Sequence, residues 1–442
     1  MRRMVMDRWE CYRLRRLSER SSWVLVYGRR KTGKTWLLRR CWAWDVYITV
    51  SIDGACVVED AKGSVHVKPV GECFRSLMQL LRHGSGVVID EFQRLPQSYW
   101  DLLASVAADA DSGLAVCGSS FRLARQVFDR RSPLLGLFQP FPIGLVSVYD
   151  AIHSLKQYGL SDRDAVLWSI VARDPWLLRH IEPGGEPWRR ILGEAEVLAP
   201  IARGLIGEVF EDEERQLARI YDAALTLLSL GYWRAADIAQ KLYDAGLLST
   251  PSPSSATGVL AVLEAMGLVE RIPLWRTRRA RVYYRHRSSL LSLLYRIAAR
   301  MNSHGTPPSM DMIRSMYGLE LQFNLAELLA ARRGLRRAYA ILPDGSDIDA
   351  VLLGKKKPEW GYEIKMSSIT VNEALKAIER ITSYGIPRAG IVALEGLKPG
   401  EPRQPIEELL DSSSIVREAE RLSRRARENT ANTIPKSTLH TA

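Results

Sequence analysis

The sequence is short of cysteine, of long apolar runs and of repeated segments. Its five cysteines (Cys11, Cys41, Cys56, Cys73, Cys117) are odd in number, far apart and form no Cys-x-x-Cys pair. That spacing argues against a disulfide framework or a zinc ribbon, and predicts reduced core residues. No stretch approaches the roughly 18 to 20 uninterrupted apolar residues of a membrane-spanning helix. The opening MRRMVMDRWE has basic residues but neither an apolar segment nor a small-residue cleavage site. It does not read as a secretory signal, so a cytoplasmic protein without a membrane partner is expected.

What is present is an ordinary globular composition, 46% hydrophobic and 25% charged over 442 residues. At roughly 100 to 200 residues per domain, that length leaves room for two to four folded units. Lys+Arg 62 against Asp+Glu 50 leaves a net charge of +12. Such a balance suits an anionic partner without telling nucleic acid from an acidic protein surface.

Within a first domain read over 1–150, the segment 23–150 alternates short apolar, β-branched runs with helical patterns. WVLVYG (23–28), VYITVSI (46–52), VVID (87–90) and LAVCG (114–118) have strand length. The alternation predicts a parallel sheet covered by helices. A helical connector is read over 151–214, a helical unit ending in a hairpin over 215–302, and a second α/β domain over 310–410. A helix and a polar, disordered tail follow over 411–442.

Gly28, Arg29, Arg30, Lys31, Thr32, Gly33, Lys34 and Thr35 fit G-x-x-x-x-G-K-[ST], between the strand WVLVY and the helix WLLRRC. The glycines let backbone amides wrap a phosphate, Lys34 reaches the β/γ-phosphates of ATP, and Thr35 holds magnesium. VVIDE ends in two carboxylates: Asp90 is suited to the magnesium shell and Glu91 to polarising the attacking water. Ser119, after LAVCG, is placed beside the γ-phosphate. Taken singly, each has a plainer reading: a structural glycine turn, a surface Asp-Glu pair, a turn serine.

In combination these motifs resemble a known family. MDRWECYRLRRL (6–17), GRRKTGKT, VVIDEFQRLP (87–96) and CGSSFRL (117–123) are similar to the archaeal ATPase group of STAND/AAA+-like P-loop NTPases. The resemblance implies an ATPase core joined to a winged helix and, in one branch, to a C-terminal PD-(D/E)XK nuclease-like domain. It also implies an arginine after the third strand, but Ser132, Pro133, Leu134, Leu135 and Gly136 are followed here by Leu137. Arg130 or Arg131 would have to replace it, unless hydrolysis is slow.

Residues 215–300 read as three helices and a hairpin, the order of a winged helix-turn-helix. Seven arginines lie between Arg271 and Arg287, with Trp275, Tyr283 and Tyr284 interleaved and no acidic residue. Arg276, Arg278, Arg279 and Arg281 are the expected contacts to a DNA backbone. The proposed recognition helix, SSATGVLAVLEAMG, has few base-reading side chains, which favours weak sequence specificity. Docking of the hairpin against protein is the alternative.

In the last domain a helix (317–334) precedes strands carrying Asp349 and then Glu363-Ile364-Lys365. The order resembles the PD-(D/E)XK core, with Asp349 and Glu363 as metal ligands and Lys365 on the same strand face. The family pattern puts a glutamate where Gln322 stands; Glu320 or Glu327 could substitute, though neither is at the matching place. The leading expectation is an ATP- and magnesium-dependent ATPase whose nucleotide state repositions DNA-binding domains. The alternatives are a nucleotide-gated scaffold for a protein partner or a further copy of the chain, and an ATP-licensed, metal-dependent endonuclease.

Overall fold

Where β-branched runs alternate with amphipathic helices, the chain builds a sheet covered on both faces. The computed structural model describes residues 4–119, 121–213, 217–276, 281–342, 345–355, 357–400 and 406–432. Two compact units result, one of residues 7–29, 33–143 and 421–442, the other of residues 1–6, 30–32 and 144–420. Among the described residues no helix is long and apolar enough to cross a membrane.

The first unit holds β1 (Trp23–Tyr27), β2 (Val46–Val50), β3 (Ala55–Asp60), β4 (Val65–Pro69), β5 (Val87–Asp90), β6 (Leu114–Gly118) and β7 (Gln139–Pro142). They form one sheet in the order β4-β3-β2-β5-β6-β1-β7. From β2 to β7 all pairs are parallel, while β3 and β4 extend the edge as an antiparallel hairpin. The central strands are buried along almost their whole length. That explains why they read as continuous apolar runs rather than alternating ones.

Alternate residues serve opposite faces. Leu25, Ile48, Ile89 and Val116 pack with Phe74, Leu77 and Leu81 of the helix Val70–Arg82 and with Trp100 and Leu103 of the helix Ser98–Val106. Val24, Val26, Val88 and Ala115 meet Leu14 of the helix Trp9–Glu19 and Leu37 and Leu38 of the helix Lys34–Cys41.

This second face overturns one expectation. Cys11 and Cys41 are joined by a disulfide, with Cα atoms 5.2 Å apart. They lie 30 residues apart in sequence, and that spacing hides the fact that their two helices share one side of the sheet. Cys56, Cys73 and Cys117 are free and buried, as expected. The hairpin β3/β4 and the strand β7 lie outside the predicted strands. Most β4 side chains are exposed, so their pattern carries little hydrophobic signal.

Residues 144–420, which the sequence reading divides after 214 and again after 302, form one compact unit. Its helices begin where serine hydroxyls can cap them: Ser147, Ser161, Ser288 and Ser309 each accept a backbone amide of the first turn. Helices Ala218–Ser229, Ala235–Asp244 and Pro253–Ala265 lead into an antiparallel pair, β8 (Val269–Pro273) and β9 (Val282–His286). After the helix Met310–Arg333 come β10 (Arg336–Ile341), β11 (Asp347–Leu353), β12 (Pro358–Lys365), β13 (Ala389–Ala393) and β14 (Leu409–Leu410), ordered as numbered. The first two pairings are antiparallel and the last two parallel, with the capped helix Val371–Ser383 crossing between β12 and β13. The helix expected after 411 runs Ser412–Asn432; the expected disordered tail lies, from 433 on, outside the described residues.

Candidate functional site

The loop after β1 turns sharply into the helix Lys34–Cys41. Gly28 has φ +148°, and a Cβ on it would stand 2.0 Å from the carbonyl oxygen of Ile143. Only glycine lets the chain leave β1 so close to the end of β7. Lys31 (φ 62°) and Gly33 (φ 94°) adopt left-handed backbone, which lets successive amides converge. Arg29 and Thr32 are buried, whereas Lys31 is exposed and Arg30 half-buried.

Lys34 folds back over this loop, and its Nζ donates to the carbonyls of Gly28 (2.8 Å) and Arg29 (2.9 Å). Burial lowers the pKa of its ammonium, against the pull of Cys117, Asp90 and Glu91. Asp90 ends β5 and is buried. Its Oδ2 accepts from Thr35 Oγ1 at 2.8 Å and from the Tyr47 phenol at 2.7 Å. Burial first, then the Asp90 charge, pushes the Tyr47 phenol pKa up.

Because β6 lies between β1 and β5, its end sits beside the Asp90-Glu91 corner. Glu91 has left-handed backbone (φ 57°), an uncommon conformation for a side-chain-bearing residue. The Gln93 amide donates from Nε2 to Glu91 Oε2 at 2.6 Å and to Ser119 Oγ at 3.2 Å. The fold thus brings Gly28, Lys34, Thr35, Asp90, Glu91 and Ser119 to the same end of the parallel sheet. Thr35 and Asp90 are hard oxygen donors facing each other, a pair that fits magnesium. Arg130 and Arg131 are exposed in the turn after the helix Phe121–Val127, while Leu137 packs against the core.

Tyr47 and Gln93 were not singled out from sequence. Gln93 stands within VVIDEFQRLP, but nothing in one sequence separates it from a solvated turn residue. Tyr47 reaches Asp90 only because β2 pairs with β5 in a register that sets Thr49 against Asp90.

The arginine strip divides into two sets. Arg285 and Arg287 point inward, against the expected positive surface. Buried Arg285 pairs with Glu270 at 2.7 Å and with Glu320, while Arg287 pairs with Glu270 and, at 3.2 Å, Glu327. Arg337 and Arg173 complete the network around Glu270 and Glu327. Burial alone would raise the Glu270 carboxyl, but Arg337, Arg287 and Arg285 outweigh it and hold its pKa at about 2. Tyr283 is buried among Ile272, Leu274, Phe323 and Tyr339. Arg276 is exposed, donates to the Tyr384 carbonyl at 3.0 Å and lies over the Tyr384 ring; Arg281 is exposed. Arg278 and Arg279 lie outside the described residues.

On β11 and β12, Asp349 and Glu363 face each other closely. Burial and the Glu363 charge push the Asp349 carboxyl up to about 8. Its Oδ2 accepts from the Ile364 amide (2.7 Å) and its Oδ1 from Gln322 Nε2 (2.8 Å). Glu363 pairs with Lys365 (2.7 Å) and Arg380 (2.6 Å). Glu320 does not join them, because its carboxylate is held by Arg285, and Glu327 is held by Arg173. A cleft of 410 Å³ opens beside Glu363, lined also by Lys365, Ser367, Ser368, Lys376 and Arg380. Among the described residues no group of three or more His, Cys, Asp or Glu is placed to hold one metal ion. Gln322, the Ile364 amide, Lys365 and Arg380 thus surround the Asp349/Glu363 pair with donors.

No family model and no curated protein matches the chain. Among solved structures it is similar to the Walker-type ATPase PABY2304 of Pyrococcus abyssi, at 19% identity and a TM-score of 0.45, over 67% of this chain and 97% of that one. It is also similar to the Aeropyrum pernix ORC2 protein in its ADPNP-ADP complexes, at 13% identity and a TM-score of 0.39, over 72% of this chain and 94% of that one. The Aeropyrum pernix ORC1 protein in complex with DNA follows at 15% identity and a TM-score of 0.31, over 66% of this chain and 93% of that one.

Proposed function

We propose that the chain binds ATP with magnesium at Gly28–Thr35 and hydrolyses it. The observation that carries this reading is the 2.8 Å hydrogen bond from Thr35 to Asp90, made at the end of a sheet whose β6 brings Ser119 alongside. Lys34, held over the loop by two carbonyls, is ready to exchange them for phosphate oxygens. Thr35 and Asp90 would hold magnesium, which supplies charge neutralisation on the phosphates. Glu91 is the group that orients and polarises the attacking water, and Ser119 donates beside the γ-phosphate.

The second unit we read as a winged helix joined to a PD-(D/E)XK-like domain, together engaging DNA. Three helices followed by β8 and β9, and a helix followed by β10, β11, β12, a crossing helix and β13, support that reading. The exposed Arg276 and Arg281 would contact backbone phosphates. Engagement of buried Arg285 and half-buried Arg287 in ion pairs favours a second reading, in which the hairpin is a structural brace and the chain is a nucleotide-gated scaffold for a protein partner. Gln322 beside Asp349 supports binding of DNA without cutting it.

One experiment separates these outcomes: magnesium-dependent ATP turnover by the wild type and Lys34→Ala, with and without duplex DNA, with the duplex followed for cleavage. Turnover that Lys34→Ala abolishes and DNA raises is expected. Intact duplex in every tube sinks the endonuclease reading. DNA affinity that is absent, rather than steeply weakened by salt, sinks the DNA reading and leaves the scaffold.

A further inference from the structure

Gln93 connects two residues to which the ATPase reading gives separate tasks. An amide nitrogen has two hydrogens, and both are used: one meets Glu91 Oε2 at 2.6 Å, the other Ser119 Oγ at 3.2 Å. The orientation of the amide is fixed, because turning it over would set its oxygen against the Glu91 carboxylate. The opposite end of the group, Oε1, is buried without a hydrogen-bond partner. It sits against Gly118, where an added Cβ would stand 2.8 Å from Oε1 and 2.3 Å from a methyl of Leu123. The bare backbone of Gly118 at the end of β6 is thus what gives the amide its room.

A buried acceptor without a donor is unfavourable, and so is left-handed backbone at a non-glycine residue such as Glu91. Both persist here at one corner, between the strand end that carries Glu91 and the strand end that carries Ser119. Arg94 also reaches Glu91 Oε2, at 3.4 Å, and is otherwise bonded to the Val50 carbonyl.

We infer that Gln93 is a positioning residue for hydrolysis, fixing the Glu91 carboxylate relative to Ser119 through the two N–H groups of one amide. In this arrangement, engagement of Ser119 by the terminal phosphate is transmitted to the group that orients the attacking water. Gln93 acts through these two neighbours. The inference rests on the reading that ATP is hydrolysed at this site.

The test uses the full chain and compares the wild type with Lys34→Ala, Gln93→Leu, Ser119→Ala, Gly118→Ala and the double variant Gln93→Leu/Ser119→Ala. In Gln93→Leu, kcat should fall by about a hundredfold, the order of an orientation lost from acid-base catalysis. KM for ATP and the affinity for a fluorescent ATP analogue should stay within about twofold, since no phosphate contact is removed. The two substitutions should be non-additive in kcat, because each cuts the same link. Gly118→Ala, which displaces the amide without removing it, should move kcat in the same direction. Wild-type kcat in Gln93→Leu, or additive effects of Gln93→Leu and Ser119→Ala, overturns the inference while leaving the ATPase reading intact. A parallel loss of nucleotide affinity in Gln93→Leu overturns it too, showing a merely structural role. Absence of turnover in the wild type overturns both.

Discussion

Thr35 Oγ1 donates to Asp90 Oδ2 across 2.8 Å, tying the first turn of a helix to the end of β5, and the Tyr47 phenol donates to the same oxygen. Asp90 is therefore aimed by two hydroxyls of different standing. Thr35 would share magnesium with it, while Tyr47 only orients it. Thr35→Ala is expected to abolish magnesium-dependent turnover. Tyr47→Phe should keep turnover but raise the magnesium concentration for half-maximal rate by about tenfold, as removal of an outer-shell partner does. Magnesium titrations of the steady-state rate decide this; equal effects from the two substitutions would mean that Tyr47 does more than orient.

The Cys11–Cys41 bond joins the helix Trp9–Glu19 to the helix that carries Lys34 and Thr35. Thiol titration of unreduced, denatured protein should count three thiols (Cys56, Cys73, Cys117), rising to five after reduction. Closing a loop of this span stabilises a fold by about 3 to 4 kcal/mol in the chain-entropy account. A Cys11→Ser/Cys41→Ser variant should accordingly unfold at clearly lower denaturant. Five thiols before reduction would remove the cross-link from the account.

The loop and carboxylates of the first unit are legible because their signals are local. GRRKTGKT fixes a loop between a strand and a helix, and VVIDE places two carboxylates at a strand end, so Lys34, Thr35, Asp90 and Glu91 could be named from sequence and do meet. The hidden parts depend on register and on the packing of distant segments. Tyr47 reaches Asp90 through the β2/β5 pairing, and Cys11 reaches Cys41 through a shared helical layer. Arg285 and Arg287 read as part of a solvent-facing strip because Glu270, Glu320 and Glu327, which neutralise them, lie mostly in other elements. A charge pattern along one strand cannot disclose which face its partners will cover. Gln322 shows the converse: a polar residue at a family's carboxylate position still meets Asp349, but as a donor.

His286 offers a pH test of that packed interior. It is buried, its Nε2 lies 2.7 Å from the Leu225 carbonyl, and its ring lies against Tyr295. Burial lowers its pKa from 6.5 to about 4, so the fold holds the ring neutral where an unfolded chain would protonate it. The unfolded state takes up the proton first, which means that this residue's contribution is fully present above pH 6.5 and drains away as pH falls toward 4. The full effect is on the order of 3 kcal/mol. Urea unfolding at pH 7.5 and pH 5 should show a larger acid loss for the wild type than for His286→Phe. Equal losses would mean that His286 titrates alike in both states.

Arg281 and Arg285 stand on the same short segment and should fail in opposite ways. Arg285 is buried between Glu270 and Glu320, and the Glu320 carboxylate would be left buried once its guanidinium partner is removed. Arg285→Met should therefore cost about 3 to 5 kcal/mol of stability, the penalty of an uncompensated buried charge. Arg281 is exposed, so Arg281→Ala should change stability by less than about 0.5 kcal/mol. Under the DNA reading it should instead lower the slope of log affinity against log salt by about 1, because one phosphate contact disappears. Denaturant unfolding and duplex binding, both measured on both variants, separate brace from contact. A stable Arg285→Met with a reduced salt slope would reassign the buried arginine to DNA, and an unstable Arg281→Ala would place Arg281 in the brace.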